Sequence, residues 1–149
     1  MDSFRQLKII FFALAAGQII YFLISLVLIQ EEIVIISKDF SNIWGFLIPV
    51  LVVIMVAASR LLYNRLINSN IKLTSESEKL KVYQTGNILK FALIEGANLI
   101  SITFYMLTGD FLYAGMFIIV LGIFFVNFPG REKFLMEFES SFPENNKVN

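Results

Sequence analysis

Four stretches of this chain are almost free of charge, and short polar segments separate them. The first runs from Ile9 to Ile29, the second from about Ile43 to Leu62, the third from about Ile88 to Leu107, and the fourth from Phe111 to Phe128. Crossing a hydrocarbon core about 30 Å thick takes roughly 20 apolar residues in a helix. Lipid cannot hydrogen-bond an open backbone, so runs of this length predict helices. The expected fold class is all-α: a polytopic membrane protein, one membrane domain over 1–149, built as a bundle of four transmembrane helices. The first stretch is expected to be a retained span. It is longer than the apolar region of a signal peptide, and no small-residue cleavage site followed by polar sequence comes after it.

The polar segments have signals of their own. Gln30 to Asn42 predicts a short outer loop, with Trp44 as an aromatic anchor at the interface. Thr108-Gly109-Asp110 predicts a tight turn, with Gly109 in the left-handed position and Asp110 as the next N-cap. Ser75-Glu76-Ser77-Glu78 reads as a capping box, Ser75 at N-cap and Glu78 at N3. The third helix is therefore expected to start near Ser75, with residues 75–87 standing outside the membrane. Pro129-Gly130 breaks the fourth helix. Arg131 to Phe138 then predicts a short amphipathic helix, with Phe134, Leu135 and Phe138 on its apolar side. Within the tail of 129–149, that helix is expected to lie on the membrane surface, and Pro143 to Asn149 to fray.

Composition supports the same picture. Of 149 residues, 57% are hydrophobic and only 16% charged, and mean hydropathy is +0.74. Soluble domains run nearer a quarter charged. Net charge is zero, and no basic run or aromatic-basic interleaving points to nucleic acid. The distribution of charge sets orientation, because Lys and Arg collect on the cytoplasmic side. Of the 12 basic residues, only Lys38 lies on the outer side of the predicted spans. Arg5 and Lys8 precede span one. Arg60, Arg65, Lys72, Lys79, Lys81 and Lys90 lie between spans two and three or at their facing ends. Arg131, Lys133 and Lys147 follow span four. Both termini are expected in the cytoplasm.

Cysteine and histidine are absent. That excludes disulfides, thiol catalysis, a histidine base and nearly every zinc or iron site. No phosphate loop, Ser/His/Asp set or metalloprotease motif occurs. No enzymatic activity, cofactor or metal is therefore expected.

One group stands out, Glu95, inside span three. An ionisable side chain at that depth is expensive and is a functional candidate by default. It shares a stripe with Gln84, Asn87, Asn98, Ser101 and Tyr105, within an arc of about 120° at 100° per residue. Arg60, at similar depth in span two, is its expected partner, or else snorkels to the headgroups. Asn98 and, from span one, Gln18 are further partners, and Asn64 extends the network. The alternative role of such a stripe is interhelical glue, at about 0.6–2 kcal/mol per hydrogen bond. Ala13-x3-Gly17 and Gly115-x6-Gly122 are expected to mark close helix approaches, and Pro49 a kink in span two.

Two resemblances follow from particular residues. Tyr83-Gln84-Thr85, Phe91 through Gly96, Leu107-Thr108-Gly109 and Pro129 through Lys133 look like a family of uncharacterised small four-helix bacterial inner-membrane proteins. That likeness implies a multi-pass protein of the cytoplasmic membrane and brings no activity. Ala92-Leu-Ile-Glu95-Gly-Ala-Asn-Leu-Ile is similar to the carboxylate helix of the ATP synthase rotor subunit. That likeness implies a proton- or ion-binding role for Glu95 alone. The rotor family's dense glycine repeat has no counterpart in span two.

The function expected from the sequence is that of a non-enzymatic membrane component, packed against itself or a larger membrane complex. The alternative is an ion- or proton-handling protein that uses Glu95. A third reading is an anchor that binds a soluble partner through its cytoplasmic segments.

Overall fold

A computed structural model describes residues 3–31 and 43–139. The central part of the predicted outer loop, with Lys38, and the tail from Pro143 to Asn149 lie outside those residues. Every regular element described is helical. The elements are α1 (Ser3–Gln30), α2 (Trp44–Ser69), α3 (Glu76–Thr108), α4 (Phe111–Val126) and α5 (Arg131–Glu139).

By length and composition, α1, α2 and α3 could each cross a membrane, and α4 joined to α5 across a 72° bend makes a fourth candidate. At about 1.5 Å per residue, α3 with its 33 residues reaches roughly 50 Å. The 16 residues of α4 reach only about 24 Å. The predicted fourth span continued to Phe128. The helix stops two residues earlier because its last carbonyls are capped by side chains. Asn127 Nδ2 donates to the Ile123 carbonyl at 2.7 Å, and Lys133 Nζ donates to the Val126 carbonyl at 2.9 Å.

Local sequence explains the other ends. Gly109 takes φ 65°, a left-handed conformation that costs glycine nothing, and its N–H donates to the Tyr105 carbonyl. Asp110 accepts the Leu112 N–H at 2.9 Å and starts α4. Ser75 is the N-cap of α3 as expected. The capping box does not form, however: the Ser75 side chain makes no cap bond, and its hydroxyl pairs with Ser77 Oγ at 2.9 Å. α2 continues as one helix through Pro49.

The long third helix is central, and α1, α2 and α4 all pack on it. α1 runs parallel to α3, with Phe11 against Phe91, Gln18 against Asn98 and Phe22 against Tyr105. α2 runs antiparallel, with Trp44 near Phe104, Met55 at Gly96 and Tyr63 at Gly86. α4 folds back along α3 from the Gly109 turn, placing Phe124 beside Phe91. α2 and α4 scarcely touch, because each is held by α3.

The amphipathic helix packs against the protein itself. The apolar side of α5 turns into the protein: Phe134 is 5% exposed and Phe138 2%. Phe134 packs edge-on against Phe4 and Tyr83, and the Tyr83 hydroxyl donates to the Gly130 carbonyl at 3.2 Å. α3 projects beyond its neighbours at this end and offers an aromatic shelf. Covering that shelf buries more apolar surface than facing outward would.

The small-residue motifs named from sequence do not mark the close approaches. Ala13, Gly17 and Gly122 are exposed, and a Cβ added at Gly17, Gly115 or Gly122 would meet nothing within 4 Å. The tight contacts are at Gly86 and Gly96. A Cβ there would lie 3.0 Å from the Tyr63 ring and 2.9 Å from Met55 Cε.

Candidate functional site

Two polar regions break the apolar interior, and α3 contributes to both. The first lies in the α1–α3 seam. Asn98 Nδ2 donates to Gln18 Oε1 at 2.6 Å, and both side chains are fully buried. Among the described residues, Gln18 Nε2 and Asn98 Oδ1 have no partner. A buried amide with only half of its hydrogen-bonding capacity used is expensive. One turn back along α3 stands Glu95, partly buried. No hydrogen bond or ion pair reaches it among the described residues, and no charged neighbour perturbs it.

Arg60 therefore does not partner Glu95, and helix geometry gives the reason. α3 turns Gly86 and Gly96 toward α2, and Phe91 and Asn98 toward α1. Glu95 is about 40° around the helix from Phe91 and about 60° from Asn98, but about 100° from Gly96 and about 180° from Gly86, which puts it nearer the α1 side. Arg60 belongs to α2, is exposed, and lies along the cleft and groove described below. The two differ in depth as well as in direction: the register that sets Tyr63 at Gly86 and Met55 at Gly96 puts Arg60 level with Lys90, about 7 Å along the helix from Glu95. Of the stripe, Asn87, Asn98, Ser101 and Tyr105 are buried. Ser101 Oγ donates to the Ala97 carbonyl at 3.0 Å and Asn87 Nδ2 to the Tyr83 carbonyl at 2.9 Å. Those two satisfy the helix's own backbone.

The second region is a cleft of about 390 Å³ at the α5 end. Arg60, Tyr63 and Asn64 come from α2, and Lys90 from α3. Asn127 follows α4, and Lys133, Met136 and Glu137 come from α5. Its order begins at Gly86, whose missing side chain lets the Tyr63 ring come within 3.0 Å of where a Cβ would stand. That ring then serves two groups. Its hydroxyl donates to the Glu137 carboxylate, which ties α5 to α2. Its face carries the Lys90 ammonium, 4.0 Å from the ring centroid. An ammonium over an aromatic face gains about 0.5–2 kcal/mol. Arg60 and Lys133 complete a set of three cations around one carboxylate.

Sequence reasoning counted Lys90 only as a charge that orients the chain, and it missed Tyr63, Lys133 and Glu137. One signal was present: Lys90 falls inside the predicted third span, where a cation is as unusual as an acid. Lys90 and Glu95 are five residues apart, about 140° around the helix. They accordingly belong to different sites.

Among the described residues, no group of three or more His, Cys, Asp or Glu side chains could hold a metal ion. What the two arrangements can do is hold a proton or cation near Glu95, and hold an anion in the cleft. Comparison with protein-family models, curated proteins and solved structures finds no match.

Proposed function

We propose that this chain is a small, non-enzymatic component of a bacterial inner membrane. It crosses the bilayer four times with both termini in the cytoplasm, and packs against itself or a larger membrane complex. One observation carries the reading: large apolar side chains face outward along every long helix, as at Phe12, Leu23, Phe46, Val53, Ile118 and Ile119. Water would make such a surface aggregate, whereas lipid or protein neighbours cover it. The lopsided distribution of Lys and Arg supports the orientation.

Size in a mild detergent extract tests association. A defined species larger than the detergent-bound monomer is expected, unchanged in Glu95→Gln. A monomer at every detergent strength would overturn it.

The α1–α3 seam favours a second reading, in which Glu95 takes up and releases a proton or small cation. Among the described residues it is a carboxylate without a counter-charge, one turn from an unpartnered buried donor and acceptor. A carboxylate-reactive carbodiimide should label Glu95 in the folded protein, more at low pH than at high. No labelling at any pH would dispose of this role.

A further inference from the structure

We propose that the cleft formed by Arg60, Lys90 and Lys133, with the apolar groove it opens into, binds one anionic phospholipid. The phosphate headgroup occupies the cleft, and an acyl chain lies between α2 and α4. Lipid capture of this kind rests on the bilayer reading above.

Lys90 is the first reason. It is only 7% exposed, yet among the described residues its ammonium meets no hydrogen-bond acceptor and no carboxylate within ion-pair distance. Its contacts are ring faces, Tyr63 at 4.0 Å and Phe91 at 5.9 Å. A buried cation without an acceptor is expensive. Its open side lines the cleft, where phosphate oxygens would supply the missing acceptors.

Charge is the second. Three cations border the cleft against one carboxylate, Glu137, which already accepts the Tyr63 hydroxyl. The balance favours an anion. Basic pockets between helices on the cytoplasmic side suit anionic headgroups.

Continuity is the third. Arg60 also lines a groove of about 610 Å³ between α2 and α4, walled by Val56, Ala57 and Leu61 on one side and Met116 and Ile119 on the other. The groove exists because α3 holds α2 and α4 apart. Its α2 wall runs from Val52 to Leu61, about 13 Å of helix. That is close to the depth of one leaflet, half of a hydrocarbon core about 30 Å thick. A polar cleft joined through an arginine to an apolar groove has the shape of a lipid, whereas a soluble phosphate would use only the cleft.

Delipidated protein in detergent, titrated with dioleoylphosphatidylglycerol or dioleoylphosphatidylcholine and read by native mass spectrometry, tests the assignment. The anionic lipid should bind about tenfold more tightly, as expected for a small net positive charge facing a single negative one. Arg60→Gln and Lys90→Gln should each weaken it about fivefold. Arg60 is exposed, so its variant keeps the test valid if Lys90→Gln does not fold. Ala57→Trp fills the groove and should also weaken the anionic lipid. Equal binding of the two lipids would overturn the proposal. So would glycerol phosphate binding as tightly as the anionic lipid and unaffected by Ala57→Trp, which would assign the cleft to a soluble phosphate. Protein that stays monodisperse without detergent would instead sink the bilayer reading itself.

Discussion

Replacing Phe91 by Ala should lower stability by about 2–3 kcal/mol, while Phe46→Ala should change it by less than about 0.5 kcal/mol. Phe91 is fully buried where three helices meet. Its ring lies 5.3 Å from Phe11 of α1 and 5.5 Å from Phe124 of α4, and those two stack at 4.5 Å. For a helix already in lipid, removal from water contributes little to association. What Phe91→Ala loses is packing, through a cavity of roughly 100 Å³ at about 24 cal/mol per Å³. Phe46 is 76% exposed and leaves no cavity when shortened. Thermal unfolding in one detergent checks the pair. Equal losses at both positions would mean that the three-ring junction does not hold α1 and α4 to α3.

The contrast between those phenylalanines also explains which parts of the fold were legible. Long apolar runs revealed α1, α2 and α3, because only their sum matters. Gly109 and Asp110 revealed the α3–α4 turn, because each meets a backbone need that few residues meet. Direction was not legible. In a soluble helix the polar face identifies the core face by contrast. Here lipid and core are both apolar, so Phe46 and Phe91 look alike in the sequence. The Ala13/Gly17 and Gly115/Gly122 spacings promised close contacts and face outward or into open space.

The candidate sites show the same division. Glu95 was found because a lone acid in an apolar run is conspicuous. Its pairing with Arg60 was argued from distance to the span ends, which leaves both the register of α2 against α3 and rotation about the helix axis unspecified. Gln18 and Asn98 do meet. The α5-end cleft was invisible because it depends on the tertiary return of α5. Nothing near Tyr63 or Lys90 announces that Glu137, some 74 and 47 residues further on, will fold back beside them. The amphipathic pattern of α5 was legible, but a protein surface and a membrane surface both satisfy it.

Gly86→Leu should destabilise the protein by about 1–3 kcal/mol, whereas Gly17→Leu should be near neutral. A Cβ at Gly86 would stand 3.0 Å from Tyr63 Cδ2 and 3.4 Å from Leu66 Cδ2, so a leucine there cannot enter without moving the Tyr63 ring. The effect should travel. Once the ring shifts, its hydroxyl leaves Glu137 and its face leaves Lys90, so α5 loses one tether and the cleft loses its order. Gly86→Leu should therefore raise hydrogen exchange across Arg131–Glu139 as well as lower the unfolding midpoint. Gly17→Leu should leave both unchanged, since nothing lies within 4 Å of its added Cβ. If Gly17→Leu proved the more disruptive in purified monomer, the α1 face would be a packing surface inside the chain. The Tyr63 contact at Gly86 would then not be what sets the distance between α2 and α3.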